Sequence, residues 1–246
     1  LVALFKARVE LADGAGVAAD LGGIRIASSA VSWMIVIGLA ATGSGSGTVA
    51  VGATISVNVF EHESAVEIGR VTLRAGKDIT VFATGEDFTV LVNMALGAAG
   101  SGNAIAGAIP VVVSNTDISA KVGDGSKLNA GGSIAVAADL SSKTIDVAGG
   151  LAAGGGSAGV GATLSTAVYG SAIEARVGKN VVMYAGAAGA GAAGAGVATP
   201  NRSDRRRGIL ISATGNEMLI LVAVSAGAAG TAGVSGVVNT LVAKNS

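Results

Sequence analysis

Long stretches without any charged residue alternate along the chain with stretches that carry almost all of its charge. Every uncharged stretch has apolar residues on both sides of a centre made of Gly, Ser and Ala, such as GSGSG at residues 43–47. The chain is therefore a series of units, each about half uncharged and half charged. The uncharged stretches are residues 26–60, 88–116, 147–173 and 218–243.

Short runs of branched aliphatic residues recur at matching places in these units. Each run follows a turn that contains glycine, as IRIA follows GG and IAVAA follows AGGS. A glycine-bearing turn followed by branched residues predicts a β-strand. The predicted strands are residues 24–27, 79–83, 134–138 and 209–213.

A longer segment, AIAGAIPVVVSNTDISAKVG at residues 104–123, has relatives at residues 50–69 and 159–178 and a shortened copy at 233–246. Aligning Gly69, Gly123 and Gly178 gives spacings of 54 and 55 residues. A fixed period of this length is typical of a stacked or solenoidal array. We therefore predict an all-β fold, an elongated β-solenoid (β-helix) of units of about 55 residues. The unit is unusually long, and we expect two coils, or one coil plus a hairpin, in each.

The whole chain, residues 1–246, is then a single repeat array. Its predicted units are residues 1–48 (partial), 49–103, 104–158, 159–232 with an insertion at 185–208, and 233–246 (partial).

The uncharged stretches raise the question of a membrane, because about 20 apolar residues can span a bilayer as a helix. Helices are a poor fit, since each centre is a run of glycines that cost about 1 kcal/mol each relative to alanine. The best candidate, VSWMIVIGLAA at residues 31–41, is too short. Membrane-inserted strands stay open as an alternative. We favour strands inside a soluble solenoid, packed on neighbouring units by both faces.

The charged half of each unit is expected to form exposed strands and turns. We predict one strand through Gly69 and Arg70 with an inner and an outer face. Its inward apolar positions are Val66, Ile68, Val71 and Leu73, so the alternation shifts by one residue near Gly69 and Arg70. Equivalent outward positions carry Glu67, Lys121 and Arg176. If the units stack in register, these three residues form a ladder of mixed charge.

Composition and charge exclude several classes of protein. Apolar residues make up 50% of the chain and are rich in Val and Ile, which argues against a disordered linker despite 40 glycines. Aromatic residues are only 3%, so the core must consist of small and branched aliphatic side chains. Lys and Arg number 16, as do Asp and Glu, and this balance predicts no nucleic-acid partner. The absence of cysteine excludes disulfides and thiolate chemistry.

The insertion at residues 185–208 interrupts the pattern of the third full unit. It has a Gly/Ala half followed by a basic half, and insertions in solenoids project as loops that often bind partners. The candidate binding residues are Arg202, Asp204, Arg205, Arg206 and Arg207. The alternative is a tolerated loop without function, because added loop length costs little free energy.

No catalytic or metal-binding group can be assembled from the sequence. His62 is the only histidine, and its neighbours Glu61 and Glu63 point to the opposite face of a strand, so the three cannot converge on one metal. We expect His62 to lie in a solvated turn. With one histidine and no cysteine, neither a zinc site nor a Ser-His-Asp triad is expected. The prediction is no enzyme activity, no metal and no cofactor.

Two segments resemble the repeats of large bacterial filamentous adhesins, both filamentous-haemagglutinin-like exoproteins and leukotoxin-type filamentous adhesins. They are SAVEIGRVTLRAGKDITVFATG at residues 64–85 and ISAKVGDGSKLNAGGSIAVAAD at residues 118–139. The pattern is Ala-x-Ile/Val-Gly followed by Val/Leu-x-Ala-Gly-Gly-x-Ile/Val-x-Val-x-Ala, matched here at residues 120–123 and 128–138. The resemblance covers most of the chain but contains no ligand-specific motif.

This resemblance implies a β-solenoid stalk that is secreted to the bacterial cell surface and serves attachment, cell–cell contact or biofilm formation. The implied partners are neighbouring repeats, copies of the chain itself, and a host-cell or matrix surface. Because residue 1 falls inside a repeat, we expect a piece of a longer protein, with open coils that associate at their edges. The alternative is a membrane-inserted or pore-forming β-protein. A polysaccharide-active solenoid enzyme is a third class, for which no residue can be named.

Overall fold

In the computed structural model, the chain is described at residues 1–46, 49–186, 197–198 and 205–246. These residues form thirteen strands and no helix. Nine strands are long and four are short. The long strands are β1 (Val2–Leu11), β3 (Ile24–Ser44), β4 (Val49–Ile68), β6 (Ile79–Ala99), β7 (Asn103–Val122), β9 (Ile134–Gly154), β10 (Ala158–Val177), β12 (Ile209–Ala229) and β13 (Ala232–Asn245). The short strands are β2 (Gly16–Ala19), β5 (Thr72–Ala75), β8 (Lys127–Ala130) and β11 (Val182–Ala185).

The strands pair in three parallel sheets that run along the stacking axis. The front sheet has the order β1-β4-β7-β10-β13, the end sheet β11-β8-β5-β2 and the back sheet β12-β9-β6-β3. One coil therefore consists of a long front strand, a short end strand and a long back strand. Equivalent residues pair in register, as Ala50 pairs with Ala104 and Ala104 with Gly159. The predicted all-β solenoid is confirmed.

Each unit makes one wide coil, so the expectation of two coils or a coil plus a hairpin is wrong. All pairings between the thirteen strands are parallel, including those of the strands that flank each Gly/Ser centre. The centre carries the chain from the back sheet into the front sheet of the next coil. Its two arms consequently face each other across the interior and hydrogen-bond to equivalent arms above and below. This geometry is an arch, and the sequence pattern of an arch is the same as that of a hairpin.

The broad half of the coil, next to the end sheet, holds a core of branched aliphatic side chains. Leu73, Ile79, Ile118, Leu128 and Ile134 are completely or almost completely buried there. Burying one such side chain contributes about 1.5–3 kcal/mol, and identical neighbours one coil away extend the same contact along the axis.

The slip predicted near Gly69 is a corner between two sheets. β4 ends at Ile68 in the front sheet, and β5 begins at Thr72 in the end sheet. Val66 and Leu73 enter the same core from two directions, so the single predicted strand is wrong. The corner of the next coil has Gly125 at a φ of 72°, and Asp124 Oδ1 accepts a hydrogen bond from the Lys179 amide at 2.8 Å.

The thin half of the coil comprises the two arms of each arch, and its interior is filled by alanine, glycine and small polar residues. Ala50, Ala95, Ala104 and Ala106 form a buried cluster between the front and back sheets. A Cβ atom placed on Gly161 would overlap the carbonyl oxygen of Ala226 and approach that of Gly150 to 2.6 Å. The backbones of the two sheets are therefore in direct contact, which only small residues permit.

The outer faces of the thin half are not covered, which corrects the expectation that both faces of these strands are buried. Trp33 is 81% exposed on the back sheet and Ile55 is 72% exposed on the front sheet. Alternate residues of a strand point to opposite faces, so the interior can take only one of the two apolar sets. Because both the inward-facing and the outward-facing residues of these strands are apolar, the outside of the coil carries a second apolar surface.

The predicted ladder of mixed charge is confirmed on the outer face of the broad half. Glu67 pairs in register with Lys121, and Lys121 with Arg176. Ion pairs connect this region to neighbouring strands: Arg8 contacts Glu67, and Lys121 Nζ lies 3.1 Å from Glu174 Oε2. Exposed pairs of this kind contribute at most about 1 kcal/mol each, so the ladder serves solubility more than stability.

Candidate functional site

Part of the insertion lies against the outer face of the back sheet, at Val197. Val197 is 6% exposed and packs with Phe82, Ala135 and Ala137. Its amide and carbonyl form an isolated antiparallel bridge with Arg206, at 2.7 and 2.8 Å. At these residues, the insertion is therefore anchored to the solenoid, where the sequence predicted a projecting loop.

The predicted binding residues of the insertion are only partly placed. Arg205, Arg206 and Arg207 are exposed where the chain returns to β12. Arg202 and Asp204 lie outside the described residues, so their role stays a prediction.

A second candidate, a group of polar side chains, lies inside the solenoid between the broad and thin halves. It contains His62, which is buried in the middle of β4 and does not lie in a solvated turn as predicted. Glu61 and Glu63 point outward, where Lys6 Nζ lies 3.7 and 3.4 Å from their carboxylates. Alternate residues of β4 from Ala50 to Ser64 face the interior, and this alternation decides the burial of His62 despite the polar sequence EHES.

The repeat held a signal for this buried position. His62 pairs with Thr116, which pairs with Ser171, and all three are buried. Phe60 and Val66 lie two and four positions from His62, and residues at even spacing lie on the same face of a strand. Applying this rule through the polar segment would have placed His62 inside.

Asp87, on β6 of the back sheet, accepts hydrogen bonds from several hydroxyls around His62. Ser32 Oγ donates to Asp87 Oδ1 at 2.6 Å, and Thr89 Oγ1 donates to the same atom at 3.1 Å. Ser142, one coil further, donates to Oδ2 at 3.3 Å. His62 Nε2 lies 3.2 Å from Ser32 Oγ and 3.5 Å from Asp87 Oδ1. On its other side, the His62 ring stacks on Phe5, with ring centroids 4.9 Å apart.

Although these residues are a serine, a histidine and an aspartate, their connectivity differs from that of a catalytic triad. In a triad the serine proton goes to histidine Nε2, while aspartate binds Nδ1–H on the far side of the ring. Here the Ser32 proton goes to Asp87, and both residues contact the same nitrogen, Nε2. Ser32 is also buried. The arrangement satisfies buried polar groups and leaves no nucleophile facing a substrate.

A second buried polar layer lies one coil further, on the thin side. Ser165 Oγ donates to Asp146 Oδ2 at 3.1 Å. Burial raises the pKa of Asp146, and the Ser165 hydrogen bond offsets part of that change. Burial also raises the pKa of the Tyr169 hydroxyl, with a further contribution from the nearby charge of Asp146.

The stability of the solenoid is expected to fall as the pH decreases below about 6.5, the ordinary pKa of histidine. Burial lowers the pKa of His62, and the Asp87 carboxylate opposes only part of that effect. The unfolded chain then binds a proton that the folded chain excludes, so stability is complete above the unfolded pKa and declines below it. One such proton gives a slope of at most about 1.4 kcal/mol per pH unit.

This pH dependence can be measured as urea-unfolding free energies between pH 7.5 and 5.5. His62→Thr is the matched control, because the next coil has Thr116 at the equivalent position. The variant should lose the decline between these pH values. An equal decline in the variant would show that His62 is not its cause.

Among the described residues, no three His, Asp or Glu side chains are grouped so that they could hold a metal ion. The described chain also contains no helix of the length and apolar character needed to cross a membrane. In comparisons with known proteins, no family model, no curated protein and no solved structure matched the chain significantly. Any function must therefore be argued from the geometry of the solenoid.

Proposed function

We propose that this chain is a segment of the structural stalk of a secreted bacterial surface adhesin. The observation that carries the proposal is the uninterrupted parallel register of all three sheets. Each coil adds one strand spacing, about 4.8 Å, to the length of the rod. Adjacent coils are joined by backbone hydrogen bonds in all three sheets, so the stack resists bending and can hold a binding tip away from the cell. The resemblance of the repeats to filamentous adhesins agrees with this role.

The proposed partners are neighbouring repeats, further copies of the chain, and a host-cell or matrix surface contacted by other parts of the protein. The hydrogen bonds that Asp87 and Asp146 accept inside the coil join different strands and contribute to the stiffness of the rod. The exposed arginines of the insertion are the proposed place where the stalk itself contacts a surface.

Intact bacteria that produce the protein should bind an antibody raised against this chain, and deletion of its coils should reduce attachment. Duplicating residues 104–158 is the matched variant, since it adds one coil in register and should lengthen the purified rod by about 4.8 Å in solution scattering. Antibody labelling only after permeabilisation would contradict the surface location. A rod of unchanged length would contradict the stalk.

A membrane-inserted β-protein is the second candidate, and the exposed aliphatic side chains on both outer faces of the thin half favour it. Such a protein would need detergent to stay dispersed and would bind lipid vesicles. A chain that remains dispersed without detergent, with a β-strand circular dichroism spectrum and no vesicle binding, would exclude this candidate.

A further inference from the structure

The outer face of the front sheet in the thin half is a continuous apolar surface, which we call the front patch. Two rows of large side chains cross it, each row made of equivalent residues from four coils. Seven of these eight side chains are exposed, from 39% at Ile109 to 72% at Ile55, and Val160 is half-buried. One row is Val51, Ile105, Val160 and Val234, and the other is Ile55, Ile109, Leu164 and Val238.

Between these two ridges lies a row of the smallest side chains. It consists of Ala53, Gly107, Ala162 and Gly236, again paired in register. The front patch thus has a groove flanked by two ridges, all parallel to the stacking axis. On the outer face of the back sheet the row that contains Gly149 also contains Leu39, Met94 and Val224. The row of small residues on that face, Gly43, Ala98, Ala153 and Ala228, lies beside the arch and is not flanked by two ridges.

We propose that a second copy of this chain packs face to face on the front patch. A two-fold axis parallel to the stacking axis, between the groove and the Ile55 ridge, places the ridge of each copy in the groove of the other. The same surface serves on both sides, as an isologous dimer requires. The proposal does not depend on a role at the cell surface.

The area of the front patch is sufficient for such a dimer. Ten residues at about 3.3 Å each, across four strands about 4.8 Å apart, cover roughly 600 Å² per copy. The total of about 1,200 Å² lies at the lower limit of stable specific interfaces. Additional coils in register would enlarge it in proportion.

The distribution of charge also fits this partner. Along the front sheet, the charged residues nearest to the patch are Glu61 and Lys244, which share one register position, followed by Glu63 and Lys6; all lie towards the broad half. The two-fold axis sends the broad halves of the two copies to opposite sides. No charge is then buried, and the acidic residues of the two copies do not face each other.

A lipid bilayer fits the front patch less well than a second copy. Any open solenoid ends in strands whose backbone N–H and C=O groups have no neighbour in the sheet. Such edges are not tolerated in the hydrocarbon region, where water cannot satisfy them. Two sheets packed face to face leave the same edges in water.

Filling the groove tests the proposal without disturbing the interior. A Cβ atom on Gly107 would meet only the Ala162 carbonyl oxygen at 3.8 Å, and one on Gly236 would meet nothing within 4 Å. The Gly107→Leu/Gly236→Leu double variant should therefore fold normally and block the incoming ridge. Ala153→Leu, at an exposed small residue on the outer face of the back sheet, is the matched control.

The measurement is sedimentation equilibrium of the full chain without detergent, with circular dichroism to verify folding. We expect a dimer whose dissociation constant rises about tenfold or more in the groove variant and is unchanged in the control. A monomer at all concentrations would overturn the proposal, as would equal weakening in both variants. Flotation of the chain with phosphatidylcholine vesicles, with no dimer in their absence, would overturn it in favour of lipid.

Discussion

Replacing Gly161 by valine should destabilise the solenoid by about 3 kcal/mol or more. Gly161 points into the thin half, where an added Cβ would overlap backbone oxygens of Ala226 and Gly150. These atoms belong to the back sheet and cannot rotate away as a side chain would. The front and back sheets would have to separate, and the cluster around Ala104 and Ala106 would lose contact with the opposite sheet.

Gly107→Val is the matched control, because it puts the same side chain on the neighbouring strand but on the outer face. Its effect should stay within about 0.5 kcal/mol. Both variants can be compared by urea unfolding of the dilute chain. Equal stability of Gly161→Val and the unmodified chain would contradict the close contact between the two sheets.

Asp87→Ser is expected to cost about 3 kcal/mol at pH 7.5, because it leaves buried hydrogen-bond donors without their shared carboxylate acceptor. The change removes the acceptor shared by Ser32, Thr89 and Ser142 and the carboxylate beside His62. Ser32 and Thr89 are buried, so bulk water does not reach them to replace it. Glu86→Ser is the control, since Glu86 precedes Asp87 on β6 but points outward and is exposed; its effect should be within about 0.5 kcal/mol.

The neighbouring coil supplies a rescue for this loss. It has Thr116 and Ser142 where this coil has His62 and Asp87. The His62→Thr/Asp87→Ser double variant copies that pair, and its cost should be smaller than the sum of the two single costs by about 1 kcal/mol or more. Strictly additive costs would show that the two side chains do not act together.

The period of the array could be predicted from the sequence, because glycines at corners and branched residues in strands recur at fixed spacing. The ladder of Glu67, Lys121 and Arg176 followed directly from that period. The path of the chain within a unit could not be predicted from the period. Whether an arm pairs with the other arm of its own arch or with the equivalent arm of the next coil depends on long-range hydrogen bonds, which leave no separate pattern in the sequence.

The interior polar residues were missed for a different reason. Local polarity around His62 suggested solvent, but the register of β4 is fixed by apolar residues on either side of it. Side chains such as Asp87 and Ser32 come from other strands, so their contact with His62 depends on the stacking of whole sheets. The exposed Val and Ile rows were misread as buried because apolar residues at both parities are typical of strands covered on both faces.

The position of the long insertion has a practical consequence for engineering. It falls in a corner between β11 and β12, and the register is intact on both sides, with Ala185 paired to Ala130 and Ile209 to Ile134. Foreign peptides grafted into the equivalent corners of other coils, near Gly76 and Gly131, should therefore leave strand alignment unchanged. A tandem of such coils would be a ruler that displays cargo along one edge at intervals of about 4.8 Å.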